Sequence, residues 1–129
     1  MILVDSDVLI AHLRGLPAAT DWLRASRQTS GPLATSAVSV AEVAGGMRSG
    51  ERAEVWRLFD ALRIEPVTEL IARRAGEFMR AHRRSHTAIG LGDYLIAATA
   101  DTGGLELATL NVKHFPMFKG LRPPFALSN

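Results

Sequence analysis

The chain has 129 residues, 47% of them hydrophobic, with thirteen acids against fifteen bases and no cysteine. Such a length supports one self-sufficient core, and the lack of cysteine excludes a disulfide framework and any thiolate metal site. No apolar run approaches the roughly 18 residues of a membrane span, and the apolar start at Met1 to Val4 is too short for a signal peptide, so a cytoplasmic setting is expected.

The first predicted element is a strand, Ile2 to Asp5, followed by helical Val8 to Arg14. Pro17 suits the start of a second helix that runs to about Arg27 and is broken by Gly31-Pro32. Leu33 to Ser36 reads as a short strand, and Ser39 to Met47 as a helix closed near Gly45-Gly46 or Gly50. Glu51 to Leu62 is a further helix, with Val55, Leu58, Phe59 and Leu62 on one stripe. Arg63 to Val67 is a strand that ends near Pro66, which cannot donate to a ladder. Leu70 to His82 is amphipathic. Gly90-Leu91-Gly92 loosens the backbone before a strongly apolar helix, Asp93 to about Thr102, which Gly103-Gly104 closes. The last core strand is Leu105 to Leu110, and the tail with Pro116, Pro123 and Pro124 is irregular. Strand, helix, strand order predicts an α/β domain with parallel pairing.

Several oxygen-bearing residues stand where that architecture places ligand sites, just past strand ends. Asp5 ends the first strand, where burial is costly unless a cation or a donor meets the carboxylate; it also suits a helix N-cap. Asp7 suits the first turn of a helix and is accessory. Glu42 completes Ser39-Val40-Ala41-Glu42, which fits a capping box. Asp93 shares a stripe with Ile96, Ala97 and Ala100 in a helix apolar nearly all round, so its carboxylate is expected to face protein. Asn111 follows the last strand and also suits a turn. Without Asp5, Asp7, Glu42 and Asp93 the rest of the chain carries nine acids against fifteen bases. Arg73, Arg74, Arg80, Arg83 and Arg84 concentrate that excess, as do Lys113, Lys119 and Arg122. Such stretches suit a phosphate backbone or are a solvated face.

Four segments together resemble the PIN-domain family, of the VapC toxin type. Met1-Ile2-Leu3-Val4-Asp5-Ser6-Asp7-Val8-Leu9-Ile10 is similar to the opening strand with its first metal-binding acid. Thr35-Ser36-Ala37-Val38-Ser39-Val40-Ala41-Glu42-Val43-Ala44-Gly45-Gly46 resembles the segment with the second. Gly92-Asp93-Tyr94-Leu95-Ile96-Ala97-Ala98-Thr99-Ala100 resembles the helix with the third. Leu107-Ala108-Thr109-Leu110-Asn111-Val112-Lys113-His114-Phe115 is like the strand end where the family places Asp or Asn. The resemblance implies one PIN-like domain over residues 1–129, a mostly parallel twisted sheet of about four to five strands flanked by helices. It also implies Asp5, Glu42, Asp93 and Asn111 around a metal, with Ser36 and Thr109 hydrogen-bonding the carboxylates. Two positions depart from the family: Asp7 replaces a small neutral residue, and His114 stands where Asp often precedes the Phe.

Hard oxygen ligands without Cys or paired His favour Mg²⁺ or Mn²⁺ over zinc. The implied activity is endonucleolytic hydrolysis of RNA, with Arg80, Arg83, Arg84, Lys113 and Lys119 holding backbone and an unpaired region as target. The implied partner is a cognate antitoxin whose C-terminal segment offers Arg to the acidic pocket. A mean hydropathy of +0.10 leaves apolar surface for a homodimer. Two other readings fit less of the chain. Leu3-Val4-Asp5-Ser6-Asp7-Val8 also resembles the haloacid-dehalogenase opening, but Ala97 stands where a second acid is needed and the only lysines are Lys113 and Lys119. The other is a nucleic-acid binding module without catalysis.

Overall fold

The computed structural model describes residues 1–127. Four strands and six α-helices alternate: β1 (Ile2–Val4), α1 (Ser6–Leu13), α2 (Pro17–Ser30), β2 (Ala34–Ser36), α3 (Ala37–Gly46), α4 (Arg52–Asp60), β3 (Arg63–Glu65), α5 (Glu69–His82), α6 (Leu91–Gly103) and β4 (Glu106–Ala108), then a 3₁₀ turn at Val112–His114. The strands form one sheet in the order β3-β2-β1-β4. All pairs are parallel, with Leu3 opposite both Ala34 and Leu107.

β1 is apolar throughout because it is central and covered on both faces. Its side chains alternate between two cores. Leu3 joins Ala34, Leu107 and Phe115 beneath α5 and α6, which contribute Ile71, Ala75, Phe78, Tyr94 and Ile96. Val4 faces the other way, with Val8, Leu9, Val43 and Val55 from α1, α3 and α4. The amphipathic α5 buries Ile71, Ala75 and Phe78 at helical spacing, while Leu70 stays 67% exposed. Gly104 closes α6 in the left-handed region at φ 62°, where a Cβ would be strained.

After β1 the chain steps outward to β2 and β3, then crosses back to place β4 on the other side of β1. The order therefore reverses between β1 and β4, and the crevice past their carboxyl ends is the topological switch point. Asp5 and Asp7 leave one strand there, and Thr109 and Asn111 leave the other.

Several boundaries differ from expectation, α2 running on to Ser30 and β3 stopping at Glu65, and four of them bear on the strand-end crevice. α1 begins at Ser6 rather than Val8, because Asp5 caps it: extended at φ −74° and ψ 157°, it accepts the Ser6 N–H. α3 begins at Ala37, capped by Ser36, whose hydroxyl accepts from Val38 N at 3.0 Å. The capping box at Ser39 does not form; Ser39 lies inside the helix, fully buried, and Glu42 is released for another partner. α6 begins at Leu91, so Gly92 belongs to its first turn. β4 ends at Ala108, opposite the end of β1 at Val4; past it Leu110 N–H is turned onto Asp7 and Thr109 Oγ1 onto Asp5 and Asp7.

Candidate active site

Asp5 is 5% exposed and uses both carboxylate oxygens. Oδ1 accepts from Ser6 N at 2.7 Å, and Oδ2 accepts from Thr109 Oγ1 at 2.8 Å. Burial pushes its carboxyl up to about 7; the neighbouring charge of Asp7 and, less strongly, that of Asp93 act in the same direction, against the Thr109 and Ser6 hydrogen bonds. Asp7 Oδ2 accepts from Leu110 N at 3.0 Å and from Thr109 Oγ1 at 3.2 Å. Its carboxyl is also pushed up, chiefly by burial. The other oxygen, Oδ1, is buried without a hydrogen-bond partner. Asp7 is thus far more enclosed than a helix-turn carboxylate needs to be.

Glu42 is exposed and reaches the β1 end from α3, accepting from Ser6 Oγ at 3.0 Å. Its other oxygen lies beside Gly92: a Cβ there would sit 3.6 Å from Oε2 and 3.5 Å from Val38 Cγ1. Glu42 therefore stands between the start of α1 and the start of α6. Asp93 lies in that first turn of α6. Its side chain is 23% exposed rather than enclosed, and Oδ2 is 2.8 Å from His114 Nδ1. Asn111 is extended to the same imidazole, its amide 2.9 Å from His114 Nδ1. It makes no side-chain cap to the 3₁₀ turn that follows.

The structure thus gathers Asp5, Asp7 and Thr109 in one cluster, joins Glu42 to it through Ser6, and sets Asp93, His114 and Asn111 beside it, near enough for the Asp93 charge to act on Asp5. Ser36 caps α3 and, among the described residues, hydrogen-bonds none of these carboxylates, contrary to the expectation that it would. By sequence His114 is only a departure from the family pattern; its partner Asp93 lies on another element, and no local pattern reveals that contact.

Among the described residues no three His, Asp or Glu side chains stand close enough together, as placed, to hold a metal ion. Each carboxylate is instead steadied by a donor: Ser6 on Glu42, Thr109 on Asp5 and Asp7, His114 on Asp93. The donor set still fits a hard divalent cation. It is all oxygen, it carries more negative charge than burial tolerates at Asp5, and it includes the partnerless buried Asp7 Oδ1.

The basic residues divide. Arg73 pairs with Glu69, and Arg74 with Asp101 and Glu77, so these two are a solvated face of α5. Arg80, Arg83 and Arg84 are exposed, and none forms a salt bridge among the described residues. Lys113 is exposed beside His114. Lys119 lies elsewhere, lining a cavity of about 620 Å³ at the β4 edge with Trp22, Ser26 and Arg122.

The PIN domain model matches residues 2–116. The chain is 68% identical over 127 residues to Ribonuclease VapC10 of Mycobacterium tuberculosis, covering 98% of this chain and 95% of the relative. It is 42% identical over 125 residues to Ribonuclease VapC19 of the same organism, covering 97% and 100%. A solved toxin–antitoxin complex from Klebsiella pneumoniae contains a similar chain, at 25% identity and a TM-score of 0.79, covering 98% of this chain and all of that one.

Proposed function

The chain belongs to the PIN-domain family, and from that membership we propose that it is a metal-dependent endoribonuclease and the toxin of a toxin–antitoxin pair. The observation that carries the reading is the convergence of Asp5, Asp7, Glu42 and Asp93 on the switch point of the sheet, in a chain 68% identical to a VapC ribonuclease. Family membership also displaces the haloacid-dehalogenase reading of Asp5 as a nucleophile.

In this proposal Asp5, Glu42 and Asp93 hold Mg²⁺ or Mn²⁺, with Asn111 as a fourth oxygen donor and Asp7 accessory. A divalent cation, when bound, polarises the phosphodiester and lowers the pKa of water. The chain supplies the rest. Thr109 and Ser6 orient the carboxylates. α1 and α6 both begin at that crevice, so their positive dipole ends favour an anionic phosphate there. Arg80, Arg83 and Arg84, at the end of α5 and just past it, and Lys113, in the 3₁₀ turn that holds His114, are assigned the backbone phosphates. Lys119 is assigned a more distant contact along the strand.

The antitoxin reading rests on the structural neighbour, itself a toxin–antitoxin complex, and on the excess of carboxylate in the pocket, which an inserted guanidinium would offset. The homodimer is proposed from exposed apolar side chains such as Trp56, Ile64 and Val67. No described helix is long and apolar enough to cross a membrane.

The test is cleavage of labelled RNA. Mn²⁺ or Mg²⁺ should permit cutting and a chelator should stop it. In a binding titration on the same RNA, Arg83→Ala with Arg84→Ala should flatten the salt dependence of affinity, by about 0.7 in slope for each lost single-strand contact. Cutting at an equal rate in chelator would end the metal-dependent reading, and an unchanged slope would return both arginines to the solvated face.

A further inference from the structure

Asp93 on α6 and Asn111 after β4 meet at one atom, Nδ1 of His114, with Asp93 Oδ2 at 2.8 Å and the Asn111 amide nitrogen at 2.9 Å. An imidazole nitrogen either carries a hydrogen and donates or bears a lone pair and accepts. An ionised carboxylate only accepts, so the hydrogen sits on Nδ1. An amide N–H aimed at the same atom is then donor against donor. Nitrogen and oxygen of an Asn amide are interchangeable by a half turn, and that turn places Asn111 Oδ1 on the Nδ1–H and satisfies all three groups. The Asn111 side chain caps no helix, so the turn breaks no cap.

We propose that His114 is a positioning residue whose Nδ1–H is shared between Asp93 Oδ2 and Asn111 Oδ1, fixing both oxygens toward the cation pocket. The proposal rests on the ribonuclease reading. Each accepting oxygen keeps a further lone pair for a cation. The backbone holds His114 in place: its N–H donates to Asn111 O at 3.0 Å, and the following Phe115 is 1% exposed in the core. An ionised Asp at position 114 would only accept and would add charge to a site already rich in it. Histidine instead supplies a donor, and it makes the neutral Asn111 present oxygen rather than nitrogen.

The side chains of Asn and Gln separate this role from mere bulk. An Asn amide nitrogen overlays imidazole Nδ1, whereas a Gln amide nitrogen overlays Nε2. Calorimetric titration with Mn²⁺ should therefore show affinity lowered roughly 10–100-fold in His114→Ala and His114→Gln and largely restored in His114→Asn. RNA cleavage should lose kcat with little change in KM, and unfolding midpoints should stay close to that of the parent chain. Nitrogen-15 spectra of the metal-free protein should show a proton on Nδ1 of His114. Wild-type Mn²⁺ affinity in the Ala and Gln variants, or a bare Nδ1, would overturn the positioning role alone. A parent chain that neither binds Mn²⁺ nor cuts RNA would overturn the ribonuclease reading and the positioning role with it.

Discussion

Asp93→Asn should leave the protein folded and able to bind RNA while cleavage falls by about a thousandfold or more. The size follows from what a ligating carboxylate contributes to charge stabilisation: several kcal/mol, at about 1.36 kcal/mol for each tenfold in rate. The substitution keeps shape. The amide oxygen it introduces still accepts from His114 Nδ1–H, and Ile96, Ala97 and Ala100 behind it remain packed in the core. The structural cost is confined to a first-turn negative charge on α6, about 0.3–1 kcal/mol. Single-turnover cleavage and circular dichroism on the same preparation separate the two effects. A variant that cuts at the parent rate would remove Asp93 from the site.

Asp5→Asn should do something less expected, abolishing cleavage while stabilising the metal-free protein at alkaline pH. The Asp5 carboxyl is pushed from 3.8 to about 7 by burial and by the Asp7 charge. The folded state therefore holds a proton that the unfolded chain has released, and stability falls as pH rises from about 4 to about 7. Above that window the full penalty applies, up to roughly 4 kcal/mol for a shift of this size. An amide in place of the carboxyl escapes it. Its oxygen still accepts from Ser6 N–H, and Thr109 Oγ1, already 3.2 Å from Asp7 Oδ2, can donate there instead. Thermal unfolding in chelator should place the variant above the parent chain at pH 8 by on the order of 1–3 kcal/mol, with the gap closing near pH 4. Added Mn²⁺ at pH 8 should reverse the order, because only the parent site binds it tightly. A parent chain more stable than the variant at pH 8 in chelator would show that Asp5 is not strained by its surroundings.

What the sequence makes legible follows from which forces are local. β1 can be read because a central parallel strand must be apolar along its whole length, and Asp5 stands out against that run. Asp93 can be read because a carboxylate on the Ile96, Ala97, Ala100 stripe conflicts with its neighbours. The start of α3 cannot: Ser36 and Ser39 are both good caps, and the choice depends on the long-range fact that β2 ends at Ser36 while Ser39 faces the core. The capping box at Ser39 is sound locally and loses to that burial, which leaves Glu42 free to meet Ser6. β4 is shorter than its apolar run for a similar reason, since Thr109 and Leu110 continue the pattern and it is the distant Asp5 and Asp7 that draw the Thr109 hydroxyl and the Leu110 N–H. The contact of His114 and the pairing of Arg73 and Arg74 with Glu69, Asp101 and Glu77 are hidden too, because charge and hydrogen bonding across elements leave no periodic trace. The acids are thus visible one by one as conflicts with their surroundings, whereas the donors that steady them become visible only with the fold.

Whether the acids past the strand ends hold one catalytic cation is tested most directly by anomalous diffraction from crystals of the protein soaked in Mn²⁺. A peak is predicted in the crevice past β1 and β4, with oxygens of Asp5, Glu42 and Asp93 at roughly 2.0–2.3 Å from it. A crystal of protein that cuts RNA with Mn²⁺ yet shows the ion bound only elsewhere, or no ion against these three carboxylates, would contradict the shared site.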